Sequence, residues 1–235
     1  MDISVILTAH REGVLAGTTT RSACAAIKYA QDAQKLRIEV IVVLDNATAD
    51  TRRVIESGFS RFNLEKLTYI DVKTGDPGQS RNEGIRVACG ECATFLDGDD
   101  LWSENWLAAS WEASRSRSDV VWQSACNLTF GAEENLWWHC DSESDIFDAD
   151  YLKWGNYWDA MSFSTTEVYR RFPFKANNLK LGFGHEDWHW SAMTFDAGIA
   201  HKPVAETIHF KRRRPGSQMS LVEKAGALVW PQHLR

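Results

Sequence analysis

Three carboxylates, Asp97, Asp99 and Asp100, fall within four residues at the end of the apolar run Ala93-Thr94-Phe95-Leu96. Like charges held that close repel unless a cation shares them. Their oxygen atoms suit Mg²⁺ or Mn²⁺, which keep water and substrate phosphate oxygens as remaining ligands. The same residues also fit an Asp-rich turn that starts a helix, with Asp100 or Ser103 as its cap. Spacing alone leaves both readings open. A second acidic pair, Glu186-Asp187, follows Gly182-Phe183-Gly184, and a basic run, Lys211-Arg212-Arg213-Arg214, follows His209. Such a run reads as a solvated strip as readily as a site.

The elements that must position these residues are legible in the first half. Ile3-Ser4-Val5-Ile6-Leu7-Thr8-Ala9 and Ile38-Glu39-Val40-Ile41-Val42-Val43-Leu44 are β-branched apolar runs, suited to strands buried on both faces of a parallel sheet. An Ala- and Lys-rich stretch from about Leu15 to Gln34 predicts the helix between them, giving a right-handed β-α-β unit. Further helices are expected near 49–57 and 79–88, with strands at 67–72 and 93–96 and a Gly/Pro loop at 74–78. Alternating strands and helices imply an α/β fold, in which ligands sit beyond the carboxyl ends of the strands. Thr8, Asp45 and Asp97 all lie at such ends.

The second half is less regular. It predicts a helix over about 104–115, strands at 120–123 and 204–208, and a Trp-rich stretch containing Trp137, Trp138, Trp154 and Trp158. No repeat or low-complexity linker divides the chain, so 1–235 is expected to be a single domain, with a regular first half of about 1–102 and a less regular second half of about 103–235.

At 235 residues, with 32 acidic against 26 basic residues and a net charge of -6, the chain has the wrong sign for nucleic acid or an anionic membrane surface. No apolar run reaches the roughly 18–20 residues that span a bilayer, and Met1-Asp2-Ile3-Ser4 lacks the basic start of a signal peptide. The expected location is cytoplasmic, compatible with attachment at the inner face of a membrane, with a multi-enzyme assembly and with a homo-oligomer. Five cysteines argue against a disulfide framework, and Cys89-Gly90-Glu91-Cys92 lacks the second ligand pair a zinc site needs.

Five motifs, in order, resemble the family 2 glycosyltransferases of the GT-A fold. They are the opening strand through Thr8, the strand ending at Asp45, and Gly78-Gln79-Ser80-Arg81-Asn82-Glu83-Gly84. Then come Phe95-Leu96-Asp97-Gly98-Asp99-Asp100 and Gly182-Phe183-Gly184-His185-Glu186-Asp187. The chain departs from the family at Leu44-Asp45-Asn46-Ala47-Thr48, where many members have an acidic pair, which leaves the nucleobase open.

The resemblance implies a Rossmann-like, mostly parallel central sheet flanked by helices. It also implies an inverting transfer of a sugar from a nucleoside-diphosphate donor to a hydroxyl of a glycan or lipid-linked acceptor, in cell-surface polysaccharide synthesis. Asp99 would be the direct ligand of a divalent metal, Mn²⁺ or Mg²⁺, with Asp97 beside the ribose or sharing the metal through water. Asp45 would accept from the base, with Thr8 and Arg81 lining the nucleotide. His209 is implied as a further metal or diphosphate ligand, against a plain structural role. Arg212 and Arg214, in a loop ending at Pro215-Gly216-Ser217, would close on the diphosphate.

Inversion needs a carboxylate on the acceptor side, away from the metal. The family pattern assigns that base to Asp187, with Glu186 as alternative or support; a helix N-terminal acid is a compatible reading. Trp188 and Trp190 flank the base and are the acceptor candidates, whereas core packing is expected for most other tryptophans. The rival readings are a sugar nucleotidyltransferase, whose Gly-rich basic signature Thr8-Ala9-His10-Arg11-Glu12-Gly13 matches poorly, and a non-catalytic carbohydrate-binding module of a larger protein.

Overall fold

A computed structural model of the chain describes residues 1–214 and 218–230. The first half follows the expected alternation: β1 (Ile3–Ala9), α1 (Ala16–Gln34), β2 (Ile38–Asp45), α2 (Ala49–Phe59), β3 (Lys66–Val72), α3 (Pro77–Val87) and β4 (Cys92–Asp97). The second half runs β5 (Leu101–Trp102), α4 (Trp106–Ser114), β6 (Val120–Gly131), β7 (Asn135–Trp138), β8 (Phe163–Thr165), α5 (Thr166–Arg171), β9 (Phe183–Gly184), α6 (Glu186–Asp196), β10 (Ala200–Arg213), α7 (Gln218–Lys224) and β11 (Leu228–Val229).

The main sheet has the order β3-β2-β1-β4-β8-β6-β10-β5, with β7 added on β6. Pairing is parallel from β3 to β4 and again between β6 and β10; the short β8 is antiparallel to both β4 and β6. Every residue of β1 and β2 is buried, as a sheet covered on both faces requires. One apolar cluster, with Ala23, Ile27, Ile55 and Trp106, fills the face under α1, α2 and α4; a second, with Ile6, Ile85, Phe95 and Trp190, fills the opposite face. Full burial of a side chain of this size contributes about 1.5–3 kcal/mol.

Local chemistry fixes the elements that carry the site. Asp76 caps α3 by accepting from the Gln79 N–H at 2.9 Å, and Pro77 opens its first turn. One turn beyond Arg81, a Cβ at Gly84 would lie 2.4 Å from Ile6 Cγ2. Only glycine lets α3 approach β1 this closely, and the approach brings Arg81 to the rim of the sheet.

The strands of the second half are much longer than their sequence pattern predicts. Gln123, Ser124, Asn127, His201, Thr207 and His209 are all buried, so polar residues interrupt the apolar runs that mark a strand. β10 is broken between Val204 and Ile208, where Glu206 takes φ 60° and shifts the register on β6. All five cysteines are free thiols. Among the described residues no helix is long and apolar enough to cross a membrane.

Candidate active site

A cavity of about 450 Å³ opens beyond the carboxyl ends of β1, β2 and β4. Thr8, Asp45, Arg81 and Asp97 line one part of it; Asp99, Arg212 and Arg214 line another, and Glu186 and Asp187 approach from the start of α6. The parallel register sets Thr8 beside Asp97, and the Thr8 hydroxyl donates to Asp97 Oδ1 at 2.9 Å. Residues separated by most of the chain thus share one rim.

Charge pairing gives each acid a distinct job. Arg81, with a side chain only 3% exposed, donates through Nη2 to both oxygens of Asp97, at 2.9 and 3.0 Å, and through Nη1 to Glu186 at 3.1 Å. Burial alone would raise the Asp97 pKa, but the charges of Arg81 and Lys211 and the Thr8 hydroxyl outweigh it and hold the carboxyl below its ordinary value. Asp99 pairs with Arg214, which also reaches Glu12 at 3.4 Å. Asp100 is buried, accepts the Arg212 N–H at 2.6 Å and has a pKa raised by burial, partly offset by Lys211. It lines the same cavity.

Among the described residues Asp45 has no cation partner, and neutral donors satisfy it. It accepts from the N–H groups of Thr74, Gly75 and Asp76 at 2.9, 3.1 and 3.2 Å, and from the hydroxyls of Thr74 and Ser80. Desolvation opposes ionisation, yet these bonds, the Thr74 hydroxyl first, lower its pKa. A carboxylate has about four lone-pair sites. Its oxygens hold the 74–80 loop, and Asp45 itself lines the cavity beside that loop.

Glu186 is likewise engaged, by Arg81 and by Asn177 Nδ2 at 3.0 Å. Asp187 differs. Its Oδ1 accepts the Trp188 N–H at 2.8 Å, and among the described residues no cation pairs with it. Burial and the neighbouring Glu186 charge push its pKa up to about 6, with Lys211 and Arg81 opposing. A carboxylate with one oxygen unengaged among the described residues and a pKa near neutrality suits a general base.

His209 does not reach the cavity. It is fully buried on β10, edge-on to Trp106 with ring centroids 4.4 Å apart, and desolvation drives its pKa down to about 3. The expected ligand role is corrected to a packing role. Trp190 is corrected in the same way: it is fully buried and stacked between Tyr169 and Phe174, with centroids 5.3 and 5.0 Å away. Trp188 is half-buried and donates from Nε1 to the Leu152 carbonyl at 2.8 Å. Trp158 is fully buried as expected, whereas Trp154 is 82% exposed and Trp138 65%. Pro215, Gly216 and Ser217 lie outside the described residues.

Sequence reasoning missed Glu12 and Asp159. Glu12 lines the cavity three residues past the end of β1, a position on the rim that its distance from the strand end could have suggested. Asp159 is 3% exposed and lies 3.3 Å from the Lys211 ammonium, which also faces Asp100 at 3.7 Å. Burial disfavours the charged Lys211, but Asp159 and Asp100 outweigh it and raise its pKa. No local signal pairs Asp159 with a lysine 52 positions later (211 − 159).

Asp99 reaches the cavity with one oxygen held by Arg214, whereas Arg81 occupies both oxygens of Asp97, so a hard divalent cation here would draw on Asp99 Oδ1 and on ligands from outside the protein. Mg²⁺ commonly binds through one or two carboxylates plus substrate phosphates. Among the described residues no three His, Cys, Asp or Glu side chains converge on a common metal position.

The poly(ribitol-phosphate) β-N-acetylglucosaminyltransferase TarS of Staphylococcus aureus is 37% identical over 77 residues, which is 33% of this chain and 13% of that protein. The crystal structure of TarS 1-349 in complex with UDP-GlcNAc superposes with a TM-score of 0.61 at 19% identity, covering 94% of this chain and 61% of that one. The mannosyltransferase PcManGT from Pyrobaculum calidifontis, in complex with GDP-Man and Mn²⁺, gives 0.65 at 14% identity, covering 93% and 59%. This chain therefore spans about three-fifths of either structure, and the likeness shows a shared GT-A fold. The sequence model of glycosyl transferase family 2 matches residues 4–177, from β1 through the cluster at the end of β4 and on past α5. With its motifs carried on that fold around one acidic cavity, the chain belongs to glycosyl transferase family 2.

Proposed function

We propose that this chain transfers a sugar, with inversion, from a nucleoside-diphosphate donor to a hydroxyl of a glycan or lipid-linked acceptor in cell-surface polysaccharide synthesis. The observation that carries the reading is Asp187: a cavity carboxylate with no cation partner among the described residues, facing a donor cluster whose acids are paired. TarS and PcManGT, by their descriptions, bind UDP-GlcNAc and GDP-Man, which supports a nucleotide-sugar donor.

Thr8, Arg81, Asp97 and the loop held by Asp45 frame the nucleotide end. Asp187 Oδ2 takes the proton of the acceptor hydroxyl as the hydroxyl oxygen bonds to the anomeric carbon. The bond from that carbon to the diphosphate breaks, and the nucleoside diphosphate leaves. Arg212 and Arg214 face the negative charge that grows on it. Asp99 would hold Mn²⁺ or Mg²⁺, which would supply further neutralisation of the leaving group when bound. Trp188 stands beside the base on the acceptor side.

The test is incubation with Mn²⁺ and a panel of nucleotide sugars, reading release of nucleoside diphosphate. Release from one donor, lost in Asp99→Ala, supports the reading. If no donor binds with metal present and Asp99→Ala changes nothing, the reading is wrong.

A further inference from the structure

The segment formed by α7 and β11 lies beyond the family match, which ends at residue 177, yet it walls the cavity. Leu221 and Val222 face the same space as His185, Glu186 and Asp187. Three contacts tie the segment to the turn that leads into Asp187. β11 pairs in parallel with β9, setting Leu228 beside Phe183 and Val229 beside Gly184. The Leu228 N–H donates to the Gly182 carbonyl at 2.8 Å. Trp230 stacks on Phe183 with ring centroids 4.2 Å apart, donates to the Ala176 carbonyl at 2.9 Å, and carries the Lys175 ammonium 4.0 Å from its own centroid.

A fourth contact is steric. Val222 is 2% exposed, and a Cβ built on Gly184 would lie 2.9 Å from its Cγ1 and 3.1 Å from its Cγ2. Gly184 is not among the positive-φ residues, so packing, not backbone conformation, demands its missing side chain. The next residue, His185, has φ 58° and turns the chain sharply into α6, whose first two residues are Glu186 and Asp187. Displacement at Gly184 is thereby passed along three peptide bonds to Asp187.

We propose that Val222 and Gly184 form a knob and hole through which the C-terminal segment sets the position of Asp187, making Val222 a positioning residue for the transfer. The inference rests on the reading of Asp187 as the base. A branched side chain seated in a glycine gap resists sliding in either direction along the β9 turn. A misplacement of about 1 Å at a reacting group can cost on the order of 100-fold in rate.

The test is a double-mutant cycle in the full chain. Gly184→Ala should lower the melting temperature by roughly 3–10 °C through overpacking, and Val222→Ala in the same chain should recover most of that loss. This arm needs no substrate, and additive melting shifts would overturn the knob and hole. In turnover of UDP-GlcNAc or GDP-mannose, Gly184→Ala should lower kcat about 10- to 100-fold with donor affinity within about twofold, and Val222→Ala should restore kcat to within about threefold. Restored stability without restored kcat would overturn the positioning role. Should Gly184→Ala fail to fold, Val222→Ala alone decides: a kcat loss of severalfold at unchanged donor affinity supports the role, and unchanged kcat overturns it. Asp187→Asn separates the two readings, because its full activity would defeat the base assignment itself.

Discussion

Arg81 Nη1 donates to Glu186 Oε1 at 3.1 Å across 105 residues of sequence, while Nη2 of the same guanidinium grips Asp97. One buried cation therefore joins the acidic cluster at the end of β4 to the acidic pair that opens α6, and ties the two together across the cavity. Removing one partner of a buried charge network strands the others. Arg81→Met should destabilise the protein by about 3–5 kcal/mol in urea denaturation, far beyond an exposed substitution. A loss under about 1 kcal/mol would show that the network is not structural.

The pH profile should report Asp187. A base must be deprotonated to accept a proton, and burial with the Glu186 charge holds this carboxyl up to about 6. Turnover measured between pH 4.5 and 8.5 should rise tenfold per unit below about pH 6 and level off above it. The stability sign is opposite. A raised carboxyl pKa favours the folded state when protonated, so that stability is present at low pH and lost as pH rises through about 6. Asp187→Asn should accordingly raise the melting temperature at pH 8, with the gain vanishing near pH 4. An equal gain at both pH values would place its origin elsewhere.

Metal dependence should centre on Asp99. Mn²⁺ binding, followed by electron paramagnetic resonance with UDP present, should weaken at least about tenfold in Asp99→Ala if Asp99 is the ligand, since Arg81 already occupies both oxygens of Asp97. Excess EDTA should abolish turnover in the same samples. Full activity in EDTA would remove the metal from the account.

His209→Leu should leave donor affinity unchanged. Neither ring nitrogen of His209 has a hydrogen-bond partner among the described residues, and the ring packs against Trp106 and Trp102. Replacing an unsatisfied polar ring by an apolar side chain should leave stability equal or higher. A fall in donor or Mn²⁺ affinity measured by calorimetry would return the residue to the site.

The half of the fold built from uninterrupted apolar strands was legible in sequence, because β1, β2 and β4 are buried on both faces and end in the polar residues of the rim. β6 and β10 were only partly legible, since buried polar residues such as Asn127 and His209 break the pattern. The chemistry-bearing types were readable; their pairing was not. That Arg81 belongs to Asp97 and Glu186, that Asp45 serves a loop, and that Lys211 meets Asp159 are properties of folded proximity. Trp190 shows the same limit at short range. Being three residues from Asp187 in the chain did not keep it out of the core.

The most direct test is Asp187→Asn, measured for donor binding and transfer on the same protein. Affinity for the nucleotide sugar should stay within about threefold while transfer falls at least about 1,000-fold, because a base at Asp187 meets the acceptor and leaves the diphosphate untouched. Loss of donor binding would assign Asp187 to the nucleotide site, and retained transfer would contradict its role as base.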